Sequence, residues 1–222
     1  MAEQHFRIDP ADAPNATILF APPLFDEANR LRRTLVLAMR ALAADGFATV
    51  LPDLPGQNES LVALESVDLE DWGDALAEVA AKIDGPVILA SIRGGALIDH
   101  RAKATAWWRL APVGGASLLR TMMRARVTAD REAGIESSLE SLGGEAKTAP
   151  LLLAGNALSP AMVAALGSAE AQPVDPLRSI GLGVGGIAGT PLWLRAEPGE
   201  DPAMAAAIAA DISAWSATCG VI

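Results

Sequence analysis

The stretch ILASIRGGAL, residues 88–97, decides how the rest of the chain is read. An apolar run ends at the small Ser91, and two glycines follow at 94 and 95. That order reads as a buried strand, a sharp turn and a helix, here expected to reach about Lys103. Upstream, Gly85-Pro86 marks the turn into the strand, and Asp71 is placed to cap a helix running to about Ile83. Downstream, TAWWRLA (105–111) reads as the next strand, closed by Pro112.

The same alternation extends outward. ATILFA (16–21) reads as a strand ended by Pro22-Pro23. In 28–44, Leu31, Leu35, Met39 and Leu42 share one helical face, and Asp45-Gly46 stops the helix before a strand at 47–51. Past Pro112 the rhythm loosens. Residues 116–133 read as a helix that is basic on one side, LLLA (151–154) as a strand, and Pro160 as the first turn of a short helix. Residues 168–190 read as loop, PLWLRA (191–196) as the last strand and 202–217 as the last helix. Strands alternating with helices imply a mainly parallel sheet covered on both faces. The expectation is one α/β domain over 1–222, with a cap or insertion at about 112–190 over the sheet's carboxyl edge.

Composition narrows the function classes. With 222 residues and 51% apolar content, a substantial core forms without disulfides. The 27 acidic residues against 17 basic ones oppose a nucleic-acid binder, which needs a basic face. Cys219 is the only cysteine, so neither a disulfide framework nor a cysteine-based metal motif is expected. The polar N-terminus does not read as a signal peptide, and no apolar run is long enough for a membrane span. A cytoplasmic protein without cofactor or catalytic metal is the expectation. GLGVGG (181–186) matches G-x-G-x-x-G in form only, because no first strand and opening helix flank it in this reading.

Two stretches carry a resemblance. FATVLPDLPGQNES (47–60) is similar to the strand and PDxxGxGxS loop of α/β-hydrolases, with Asp53, Gly56 and Ser60 at matching positions. Ser91-Ile92-Arg93-Gly94-Gly95 resembles their G-x-S-x-G elbow, where the central residue is the nucleophile. APPLFDEANRLRR (21–33), together with 110–130 and 154–160, resembles the exosortase A system-associated hydrolases, a bacterial group found with exopolysaccharide and protein-sorting genes. The second type of that group carries arginine in its elbow. The resemblance implies an α/β-hydrolase-like fold, expected to lack the last strand, and by family name a hydrolase.

The residues depart from that chemistry. Arg93 holds the nucleophile position. Ser91 is the nearest hydroxyl but comes two residues early, and Leu89 and Arg93 stand where an elbow needs small residues. Asp201, in LRAEPGEDP (194–202), fits the loop that carries the acid, or caps a helix ahead of Pro202. The fold orders its triad Ser, Asp, His, yet the two histidines, His5 and His100, both precede Asp201. Losing triad members costs on the order of 10⁶ in kcat. Pro22-Pro23 stands where relatives carry His-Gly, and proline has no N–H, so backbone donors for an oxyanion fall to Leu24 or Phe25.

A buried, unpaired arginine is costly. Arg93 is therefore expected to pair with Asp26 or Glu27 from the loop after the first strand, or, with Gly94 and the turn's N–H groups, to hold a ligand's carboxylate or phosphate. The candidate ligand site is Leu24, Phe25, Asp26, Glu27, Arg93 and Gly94, and the candidate ligand a small acid. The leading expectation is a binding or accessory protein. The alternatives are an ester or thioester hydrolase using Ser91 or a borrowed base, and a structural subunit. With 191–196 as an apolar sheet edge, a homodimer through it, or cover by the 202–217 helix, is expected.

Overall fold

The computed structural model describes residues 5–221. Its main sheet has six strands in the order β1-β3-β2-β4-β5-β8. These are β1 His5–Ile8, β2 Thr17–Ala21, β3 Ala48–Pro52, β4 Val87–Ile92, β5 Ala106–Leu110 and β8 Leu177–Ile180. Only β1 is antiparallel to its neighbour; the other pairs run parallel. Strands β2, β3 and β4 are buried throughout, as their mostly apolar runs require of a sheet covered on both faces.

The helices divide between those faces. Helix α1 (Asp26–Ala44) and helix α6 (Pro202–Thr218) pack together on one side, where Leu31, Met39, Met204 and Ile208 meet Phe20 and Trp108 of the sheet. Helix α2 (Leu69–Ala81) lies on the other side with Trp72 and Leu76 inward. Its start is a reciprocal cap, in which Asp68 accepts from the Asp71 N–H while the Asp71 carboxylate accepts from the Asp68 N–H. The cap residue is thus Asp68, three places ahead of the Asp71 expected from sequence.

Between β5 and β8 the chain forms α3 (Gly115–Glu132), α4 (Leu139–Glu145), a hairpin of β6 (Leu151–Leu153) and β7 (Asn156–Leu158), and α5 (Pro160–Ser168). Leu118, Met122, Leu151 and Leu166 from this segment pack in the α2-side cluster with Trp72, Leu76 and Leu97. The 151–154 run is therefore a strand of a separate ribbon. Ala154 and Gly155 both have positive φ, the conformation a two-residue hairpin turn demands.

Three expectations are corrected. No α-helix follows Gly94-Gly95; two 3₁₀ turns, Arg93–Leu97 and Asp99–Arg101, take its place. Adjacent glycines are poor helix formers, and Asp99 is drawn inward to Arg109. The 191–196 stretch is not a strand: Leu192–Leu194 forms a 3₁₀ turn that buries Leu192 and Trp193 in the α6-side cluster. The edge of the sheet is β8, which lies inside the 168–190 segment expected to be loop. The edge on which the homodimer expectation rested is thus absent at 191–196. His5 lies in β1, the antiparallel edge strand of the main sheet. Among the described residues, no helix is long and apolar enough to cross a membrane.

Candidate active-site elbow

The chain passes from β2 through α1 to β3 on one side of β2, then through α2 to β4 on the other. That reversal leaves a crevice at the carboxyl ends of β2 and β4, where open α/β sheets place their ligands. Two turns meet there: residues 22–25 after β2, and residues 93–97 after β4.

Arg93 has φ 55°, a left-handed conformation unusual for a side chain of this size. It presents the residue at the top of a sharp strand-to-turn corner. Gly95 makes the corner fit, since a Cβ there would come within 2.3 Å of the Ala21 carbonyl oxygen and 2.6 Å of that of Pro22. Gly95→Ala is expected to force the two loops apart and cost about 1–3 kcal/mol, read as a lower urea midpoint. Gly94 is held against Leu24 and Leu118 in the same way.

The Arg93 side chain turns back over α1. Its Nε and Nη2 donate to the two Glu27 oxygens, each at 3.1 Å, and its Nη1 donates to the Ala111 carbonyl at 3.2 Å. The Trp193 ring covers its face, 4.5 Å from the guanidinium carbon. Asp26 is directed elsewhere. It pairs with Arg30, which also donates to the Trp193 carbonyl and so holds the indole in place. Glu27 and Arg93 keep only 7% and 16% of their side-chain surface exposed. Burial pushes the Glu27 carboxyl above its usual range, and the hydrogen bonds and charge of Arg93 only partly oppose that.

The other candidate residues are placed as follows. Leu24 and Phe25 are buried, and Phe25 packs its ring 5.1 Å from that of Trp72. Beside them runs a crevice of about 10 Å3, room for no more than a water. Ser91 is fully buried inside the sheet, where its hydroxyl donates to Asp99 at 2.6 Å. Asp99 in turn accepts both Nε and Nη2 of Arg109, at 2.8 and 2.7 Å. Asp201 is the cap of α6 and accepts from the Met204 N–H. His5, on β1, is separated from β4 by β3 and β2, and His100 is exposed on the second 3₁₀ turn. Asp53, Gly56 and Ser60 shape their own loop: Asp53 accepts from Asn58, and Ser60 accepts from the Gly56 and Val62 N–H groups. The glycine loop 181–186 does follow a parallel strand, β8, but no helix follows it. It closes on itself, with Gly183 donating to Ile187 and Ile187 to Gly181. Among the described residues no cluster of His, Cys, Asp and Glu is suited to hold a metal ion.

Sequence reasoning missed Trp193, the Ala111 carbonyl and the Asp99–Arg109 pair. Trp193 stands 100 positions from Arg93, in a stretch read as a strand, and no local pattern links the two.

This sheet order, with two turns meeting at its carboxyl edge, is that of an α/β-hydrolase-like fold, as the likeness to solved structures shows. The chain is similar in structure to Est1E from Butyrivibrio proteoclasticus, solved with ferulic acid bound, at 16% identity over 81% of this chain and 74% of that one, with a TM-score of 0.52. It is likewise similar to mouse alpha/beta hydrolase domain-containing protein 10, at 15% identity over 80% of this chain and 72% of that one, with a TM-score of 0.51. No protein-family model and no curated protein matches the sequence.

Proposed function

We propose that this chain is an α/β-hydrolase-fold protein of the exosortase-associated type whose elbow binds or scaffolds and does not hydrolyse. One observation carries the reading: the corner that would present a nucleophile presents Arg93, with its fork closed on Glu27 and its face under Trp193. A guanidinium is neither a nucleophile nor a base at neutral pH. The nearest hydroxyl, that of Ser91, is fully buried and hydrogen-bonded to a carboxylate that Arg109 already holds. The ligand class the cluster suits is a small acid, which would displace Glu27 from the fork, with residues 112–190 as the cap over it. Resemblance alone supports the exosortase association.

The test is direct. Purified protein is expected to turn over p-nitrophenyl esters no faster than its Ser91→Ala variant, and mass spectrometry after fluorophosphonate treatment is expected to find no modified serine. An adduct on Ser91, or turnover lost in Ser91→Ala, overturns the reading. Calorimetry with small carboxylates tests the binding half: a ligand held by the fork is lost in Arg93→Ala, and equal binding to both proteins removes Arg93 from the site.

A further inference from the structure

A second cavity lies between the β1–β3 edge and α2. Its volume is about 370 Å3, within the range of small-molecule sites, and no elbow residue lines it. Strand register explains its floor. His5 pairs with Pro52 and Arg7 with Val50, and side chains two apart share a face, so all four look toward α2. The opposite wall is the α2-side surface formed by Ala75, Val79 and Lys82, which lie on one face of the helical spacing.

The lining is apolar in the middle and charged at both ends. At the end near the carboxyl edge stands Asp53, whose charge is already answered by Asn58 at 2.7 Å and by Arg32 at 3.5 Å. At the other end stand Arg7 and Lys82. Arg7 directs Nε and Nη2 to a single Asp9 oxygen, which leaves Nη1 without a partner on that carboxylate. The Lys82 ammonium lies 4.0 Å from Glu78, beyond hydrogen-bond distance. Glu78 also lines the cleft at this end, but among the described residues Arg7 Nη1 and the Lys82 ammonium keep N–H donors that neither Asp9 nor Glu78 takes up. Between the ends, Val50, Leu54 and Val79 offer a strip without polar side chains.

We propose that this cleft is a binding site for a small amphipathic carboxylic acid, with its carboxylate on Arg7 and Lys82 and its apolar body along Val50, Leu54 and Val79. The proposal stands independently of what the elbow does: Leu54 borders both this cleft and the small crevice beside Leu24 and Phe25, but neither Arg93 nor Glu27 lines the cleft. A charged end and an apolar body fix the orientation: reversal would set the acid against Asp53 and leave hydrocarbon beside two cations.

The probe is octanoate, titrated into the intact protein by calorimetry and by amide NMR. Binding with a dissociation constant under about 1 mM is expected, with shift changes concentrated at residues 50–54 and 75–83. Each charge-assisted hydrogen bond to the carboxylate corresponds to about tenfold or more in affinity, so Lys82→Glu is expected to weaken binding by at least that factor. Val79→Trp fills the strip and is expected to abolish binding. Should that variant fail to fold, the exposed Lys82→Glu still decides the matter. Absence of binding by the wild type, equal affinity in Lys82→Glu, or shift changes centred on residues 24–27 and 93–94 each overturn the proposal.

Discussion

Asp99→Ala is expected to lower the unfolding free energy by about 3–5 kcal/mol, the cost of leaving a buried charge without its partner. Asp99 is fully buried and Arg109 is 4% exposed, so water cannot replace what is removed. The carboxylate accepts three hydrogen bonds, one from Ser91 and two from Arg109. Arg109 also donates to the Gln172 carbonyl, just ahead of β8. The pair thus ties the turns beneath the elbow to the segment that leads into the sheet's edge strand. Urea denaturation of wild type, Asp99→Ala, Arg109→Met and the double variant measures it. The double variant is expected to be less destabilised than the sum of the singles, because no charge is left orphaned in it. Additive losses would mean that the two charges do not depend on each other. Ser91→Ala is expected to cost far less, since it removes one neutral donor and leaves the fork intact.

What could be read in the sequence follows from what is local. Strands β2, β3, β4 and β5 are short, mostly apolar runs, each closed by a proline or glycine turn, and α1 and α6 announce themselves by an apolar stripe or a Pro-started alanine-rich run. The errors fall where tertiary contacts overrule local pattern. PLWLRA has the composition of a strand, but Leu192 and Trp193 are instead buried in a turn packed against the α1–α6 layer. LRSI is only four residues long and half-buried, and its Arg178 is drawn to Asp211 on α6, so it lacks the pattern of a strand. At the elbow, residue types were legible because a misplaced arginine stands out against its neighbours. The partner carboxylate was narrowed to Asp26 or Glu27. The choice between them depends on Arg30, one turn along α1, which takes Asp26 and leaves Glu27 for the fork. The indole over Arg93 depends on a contact that no spacing encodes.

Arg93→Ala is the substitution that bears on function and stability together. It removes a bidentate partner from a carboxylate only 7% exposed, and at neutral pH a loss of about 3–5 kcal/mol is expected. The loss depends on pH, and its sign follows from the carboxyl. Burial already raises the Glu27 pKa above its ordinary 4.5, against the opposing effect of Arg93. Without the arginine, burial acts unopposed and the folded-state pKa rises further. A carboxyl whose folded pKa exceeds its unfolded one contributes stability that is fully present below the unfolded value and lost as pH rises through the folded one. The gap between wild type and Arg93→Ala is therefore expected to be small near pH 4.5 and to widen toward neutrality. Urea midpoints between pH 4.5 and 8 measure it, and a gap that is flat or narrows with pH would show that Glu27 does not depend on the fork. Arg93→Lys is expected to recover only part of the loss, since a point charge cannot meet both carboxylate oxygens and also lie flat beneath Trp193. Arg93→Ser restores the hydroxyl that the elbow geometry suits, yet esterase activity is not expected to follow. The buried carboxylate beside it, released from its arginine, can take up a proton but has no histidine to pass it through, because His5 stands on β1 and His100 on the exposed face of the second turn.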